Sequence, residues 1–168
     1  NGSELLGKQA GSAGDLALAA QILRDPRWET MRVAFVKAGK IVHQTGWTTR
    51  KPGSVSFAIE GNYSYKRYDT AQRLRLVLLK HEMAKHKADG YYLLHNHPNG
   101  RAIPSNEDVL VSMNVARSMP GFLGHVVIDH GEYSVIDRNY KDTLYTLPKP
   151  ATPAPAVAHD LLGMKIAR

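Results

Sequence analysis

His95-Asn96-His97-Pro98-Asn99-Gly100, followed by Pro104-Ser105-Asn106-Glu107-Asp108, gathers two imidazoles, a serine and a carboxylate in one short stretch. The apolar run Tyr91-Tyr92-Leu93-Leu94 before it predicts a buried strand. On a strand, residues i and i+2 share a face, so His95 and His97 can converge on one ion. Pro98 and Gly100 break the strand and turn the chain. Ser105 has the position of a helix cap, with Asp108 three residues later in the first turn. That geometry can bring the carboxylate back over the strand end as a third ligand. Two histidine nitrogens, one carboxylate oxygen and a water form the open tetrahedral set that catalytic zinc prefers.

These residues resemble the JAMM metalloproteases of the MPN fold, whose pattern is His-x-His-Pro, a spacer and Ser-x-x-Asp. Within that group the chain is most similar to the RadC-like bacterial branch. Met31 to Val36, a turn at Lys37-Ala38-Gly39 and Lys40-Ile41-Val42 resemble the family's opening hairpin. Gly124 to Val135 is similar to its closing hairpin. The resemblance implies one Zn2+ per chain on His95, His97 and Asp108, and a hydrolase that cleaves a peptide or isopeptide bond. It also implies that Ser105 donates a hydrogen bond to the developing oxyanion, a contribution of about 3 kcal/mol to the barrier.

The family's general base is a glutamate on an early strand. If it aligns on the second strand of the opening hairpin, the position falls near Gln44, which cannot accept a proton near neutral pH. The other candidate is Glu60, at the end of the strand-like run Val55-Ser56-Phe57-Ala58-Ile59-Glu60. Alternation sets Glu60 on the face opposite the apolar residues, so a solvated strand-end charge is its competing reading. His125, at the start of the closing hairpin, is a candidate for orienting a ligand through a hydrogen bond. His81 falls in register with Ala71, Leu74, Leu78 and Ala84 and reads as a core histidine. His43, His86, His130 and His159 stand in no motif and are left outside the site.

The elements that must position these groups can be read in order. A short amphipathic helix covers residues 15–23 and the opening hairpin follows. Asp69 caps a long helix over 70–87, and the site strand comes next. A helix over 106–119 stops at Pro120-Gly121, and the closing hairpin turns at His130-Gly131. Strands interleaved with helices predict an α/β (α+β) class: a mixed β-sheet flanked by helices. The resemblance narrows this to the MPN/cytidine-deaminase-like kind. Residues 1–14 read as a flexible N-terminus or cloning remnant, and 15–147 as the RadC-like JAMM/MPN domain. Residues 148–158 form a Pro/Ala linker, and 159–168 begin a further segment or docking peptide.

With 168 residues, 43% of them hydrophobic, the chain can bury a sizeable core. The absence of cysteine excludes disulfides, cysteine nucleophiles and thiolate metal sites. No apolar run approaches a membrane span and no signal peptide opens the chain, so a cytoplasmic protein is expected. The net charge of +7 favours an acidic partner. Arg73, Lys80 and Lys87 recur every seven residues as a stripe on the long helix. Tyr65, Lys66 and Arg67 lie where aromatics and cations interleave, as in single-strand nucleic-acid grooves or a strand edge that grips an extended peptide. The expected partners are therefore a peptide or protein substrate, with DNA as the alternative. That alternative is a nucleic-acid-associated module of DNA repair or mobile elements, binding metal with little or no proteolysis.

Overall fold

Along the first long strand, Met31, Val33 and Phe35 alternate with Ala34 and Val36, and both sets are buried. A strand apolar on both faces must lie inside a sheet covered on both sides. The computed structural model bears this out. It describes residues 3–25, 27–48, 65–98 and 101–147, with only the backbone of 65–71. Glu60, the strand-like run that ends on it, and everything from Pro148 onward lie outside the described residues.

Among the described residues, six strands form one mixed sheet: β1 (Thr30–Lys37), β2 (Lys40–Thr48), β3 (Gly90–Asn96), β4 (Phe122–Asp129), β5 (Glu132–Ile136) and β6 (Asp142–Thr146). Their spatial order is β2-β1-β3-β4-β5-β6. Every neighbouring pair is antiparallel except β3 and β4. That parallel pair needs a crossover, which contains α3 (Asn106–Ser118). The chain between β3 and α3 thus opens at the carboxyl end of a central strand, where crossover sheets present their ligand crevice.

One face of the sheet is covered by α1 (Ala13–Ala20), which buries Leu16, Ala17 and Ala20 against Ala34, Val36, Leu94 and Val126. Ser12 caps this helix by accepting from the Asp15 amide. The other face packs Leu79 of α2 (Tyr65–Lys85) and Val115 of α3 against Met31, Val33, Tyr91 and Leu93.

Four expectations need correction. The N-terminal segment is packed, not flexible: Leu5 and Ala10 are buried, and Gly7 and Ala10 donate to the Ile41 and Gly39 carbonyls beside β2. The inward face of α2 carries Leu76, Leu79 and Met83, whereas Leu74, Leu78 and His81 face outward. Leucines stand all round this helix, so periodicity alone could not set its phase. Tyr65, Lys66 and Arg67 form the first turn of α2, which rules out a strand edge there. The basic stripe also breaks, because α2 ends at Lys85 and Lys87 turns left-handed at φ 51.

That break is a helix stop. Ala88 donates to the Met83 carbonyl and Lys87 to Ala84, a pairing that normally places glycine at the left-handed position. Lys87→Gly is expected to stabilise the fold by about 0.5–1 kcal/mol, because glycine carries no Cβ penalty there. Urea unfolding of the two proteins measures it; an unchanged midpoint would show that the lysine is unstrained.

Candidate metal centre

β3 presents Tyr91, Leu93 and His95 on the α2/α3 side, and His97, just past its last residue, continues the alternation, so both imidazoles stand at its carboxyl end. Asp108 arrives from the first turn of α3, held by a reciprocal cap. The Asp108 amide donates to Ser105 Oγ at 3.1 Å, and the Ser105 amide donates to Asp108 Oδ2 at 2.7 Å. His95 Nε2 then stands 3.0 Å from His97 Nε2 and 3.4 Å from Asp108 Oδ1, while His97 Nε2 is 3.7 Å from Asp108 Oδ2. Donors about 2.1 Å from one tetrahedral ion stand about 3.4 Å apart, so the donor set fits a single small divalent cation.

The remaining ring nitrogens show which tautomers the site holds. His97 Nδ1–H donates to the Arg101 carbonyl at 2.9 Å, leaving Nε2 to face the centre. Arg101 is held in turn by Glu132, which accepts from its guanidinium and from the Ala102 amide. Ser134 Oγ–H donates to the Ala102 carbonyl. For His95 the lock is longer. Ser112 Oγ–H donates to the Asp108 carbonyl at 2.8 Å, so its oxygen must accept from His125 Nδ1–H, also at 2.8 Å. His125 Nε2 is then a bare acceptor, and His95 Nδ1–H donates to it at 2.7 Å. Each bond forces the next, and the last leaves a lone pair on His95 Nε2. Complete burial pushes the His125 imidazole down to about 3, which keeps this link neutral. The suggestion that His125 orients a ligand therefore agrees with the geometry, and Ser112 is the partner that sequence reasoning missed.

Burial alone would disfavour a charge on Asp108, but His95 and His97 beside it hold its carboxyl far below the usual carboxylate range. Burial likewise opposes a proton on His97, yet Asp108, the Arg101 carbonyl and Glu29 outweigh it and raise the imidazole above 6.5. An incoming cation must displace that proton, so apparent affinity should rise about tenfold per pH unit until His97 is neutral. Chelator competition from pH 6 to 8.5 measures this. A flat profile would mean that His97 binds no ion.

Glu29, just ahead of β1, is the second residue missed by sequence reasoning. Met31 pairs with His95, so the same register carried outward sets Glu29 opposite His97 and on the same face. Burial raises its carboxyl, which His95, His97 and Asp108 also influence electrostatically. Two side chains hold its backbone. Thr48 Oγ1–H donates to the Glu29 carbonyl at 2.6 Å, and the Thr30 amide donates to Asn96 Oδ1 at 2.9 Å. Asn96 Nδ2 also donates to the Asp25 and Trp28 carbonyls, both at 2.9 Å. The residue between the two histidines thus pins the segment that carries Glu29.

Gln44 does not serve the site. It pairs with Ala34, whose side chain lies in the α1-side core, and its amide oxygen accepts from Arg32 at 3.0 Å. Its face is opposite the histidines, so the alignment that set it at the base position is corrected. Ser105 lies at the rim, exposed, with its oxygen taken by the cap and its O–H able to turn outward.

Residues 70–139 match the family model described as the RadC-like JAB domain. The match supports a RadC-like fold of the JAMM/MPN type for this part of the chain. The match contains His95, His97, Ser105, Asp108, Ser112 and His125, whereas Glu29 precedes it. No curated protein matches the chain. Among the described residues, no helix is long and apolar enough to cross a membrane.

Proposed function

We propose that the RadC-like JAB domain is a zinc-dependent hydrolase acting on a peptide or isopeptide bond. The observation that carries this reading is the convergence of the His95, His97 and Asp108 donor atoms, with Glu29 on the same face of the sheet by the β1–β3 register. Zinc on those donors would supply a Lewis acid and bring a water close to ionisation near pH 7. Glu29, its carboxyl raised by burial, would serve as the general base, taking a proton from the attacking water and returning it to the leaving nitrogen. Ser105 turns its O–H toward the oxygen that gains charge, while its own oxygen stays fixed by the Asp108 amide. Asp108, anionic throughout, offsets cationic charge at the centre.

The test joins metal content to cleavage. Purified protein reconstituted with zinc should hold an ion on His95, His97 and Asp108, and should cleave members of a peptide and isopeptide panel. Glu29→Gln should keep the ion and lose cleavage. A folded protein in which His97→Ala and Asp108→Ala leave zinc binding unchanged would sink the proposal.

The net charge of +7, together with Lys66 and Arg67 in the first turn of α2, favours a second reading as a nucleic-acid-associated module. It predicts salt-sensitive binding of DNA that weakens when Lys66 and Arg67 become alanine.

A further inference from the structure

A second group of ligating side chains lies outside this centre, between β2 and the end of α2. His43 of β2 sets its Nε2 3.1 Å from Glu82 Oε2, and His86 sets its Nε2 3.3 Å from the same oxygen. Glu82 and His86 are four residues apart, so one helical turn brings both to the same side of α2. The ligand atoms of all three lie within 4.8 Å of one another. Phe35 stacks against His43, centroids 5.6 Å apart, and gives the group an apolar floor. Each of the three side chains is a little under one-third exposed, so the group is open to solvent above that floor.

We infer that His43, Glu82 and His86 form a second divalent-metal site, selective for imidazole-binding transition ions such as zinc or copper. Two imidazoles and one carboxylate suit these ions, and a hard cation such as magnesium would find too few oxygens. The site is less prepared than the first. Its two rings are stacked 4.1 Å apart at an interplanar angle of 7°, whereas His95 and His97 are tilted by 59°. Parallel rings must swing about their side-chain torsions before both lone pairs meet one ion. The second ion therefore binds more weakly than the first. It ties the edge strand β2 to α2, and the ions that bind folded protein alone raise its stability by mass action.

Equilibrium dialysis with zinc, followed by elemental analysis, tests the inference independently of any hydrolase activity. The full chain should take up two ions, the weaker of which is lost in His43→Ala and in His86→Ala. His97→Ala combined with Asp108→Ala should keep only the weaker ion, and adding His86→Ala should remove it. A wild-type protein whose bound zinc is the same in His43→Ala and in His86→Ala would overturn the inference, whereas a single ion lost in both variants would place it here and leave the first centre empty. Copper on the His97→Ala/Asp108→Ala protein gives a second reading that needs no further variant. Its electron paramagnetic resonance should show coupling to two nitrogens, and a spectrum without nitrogen coupling would overturn the site. Glu82→Gln keeps the stacked rings, removes the anionic ligand and should weaken binding at least tenfold.

Discussion

Glu29→Gln is expected to lower hydrolysis by roughly 10²- to 10⁴-fold, the usual contribution of a positioned general base, while the metal content stays at the wild-type level. The two side chains have nearly the same shape, so the change removes proton affinity and little else. Glu29 is not one of the convergent donors, which are His95, His97 and Asp108. Its carboxyl is raised by burial, opposed in part by His95 and His97. The base acts only when deprotonated, so the acid limb of the rate profile should lie above the ordinary glutamate value of 4.5. Below that limb the carboxyl is protonated and the rate falls. Gln44→Ala is the matched control and should leave the rate unchanged, because its side chain is on the other face of the sheet. Two measurements decide the role: the rate profile against pH and zinc content by elemental analysis. Full activity in Glu29→Gln would remove Glu29 from the reaction, and loss of the ion with the activity would make it a ligand.

The donor set was legible because its signals are local. His95 and His97 lie two apart on a strand that its apolar run announces, and Ser105 and Asp108 carry the spacing of a helix cap. The place of Glu29 was not legible for a matching reason. Glu29 meets the histidines only through the pairing of β1 with β3, which joins residues more than sixty positions apart. A carboxylate just before an apolar strand is ordinary in any sequence, and only register tells which face it joins. Register also settles Gln44, one residue from Thr45 yet on the opposite side of the sheet. The phase of α2 failed differently, since Leu74, Leu76, Leu78 and Leu79 offer two competing faces and only the tertiary packing chooses. β6 escaped notice because all five of its residues are exposed and it carries no apolar alternation. His43 and His86 stand in no sequence motif, although Glu82 and His86 have the spacing of a helical pair.

Ser112→Ala should weaken metal binding about 10- to 100-fold, as loss of a ligand's supporting hydrogen bond commonly does, although Ser112 touches no ion. In the wild type the Asp108 carbonyl accepts from Ser112, which obliges Ser112 to accept from His125 and His125 to accept from His95. Without the hydroxyl, the buried His125 Nδ1–H has no acceptor, at a cost of about 1–3 kcal/mol. His125 relieves this by moving its proton to Nε2. That proton then points at His95 Nδ1, which must become the acceptor, and the His95 proton passes to Nε2. A protonated Nε2 offers no lone pair to a cation. Nitrogen-15 spectra of the metal-free protein should therefore show His95 as the Nδ1–H tautomer in wild type and shifted toward Nε2–H in Ser112→Ala. Ser112→Thr, which keeps the hydroxyl, should restore the wild-type tautomer. A lost packing contact would lower stability without moving the tautomer, so the spectra separate the two causes. Wild-type affinity and an unmoved His95 proton in Ser112→Ala would show that the Asp108 carbonyl does not set the polarity of the chain.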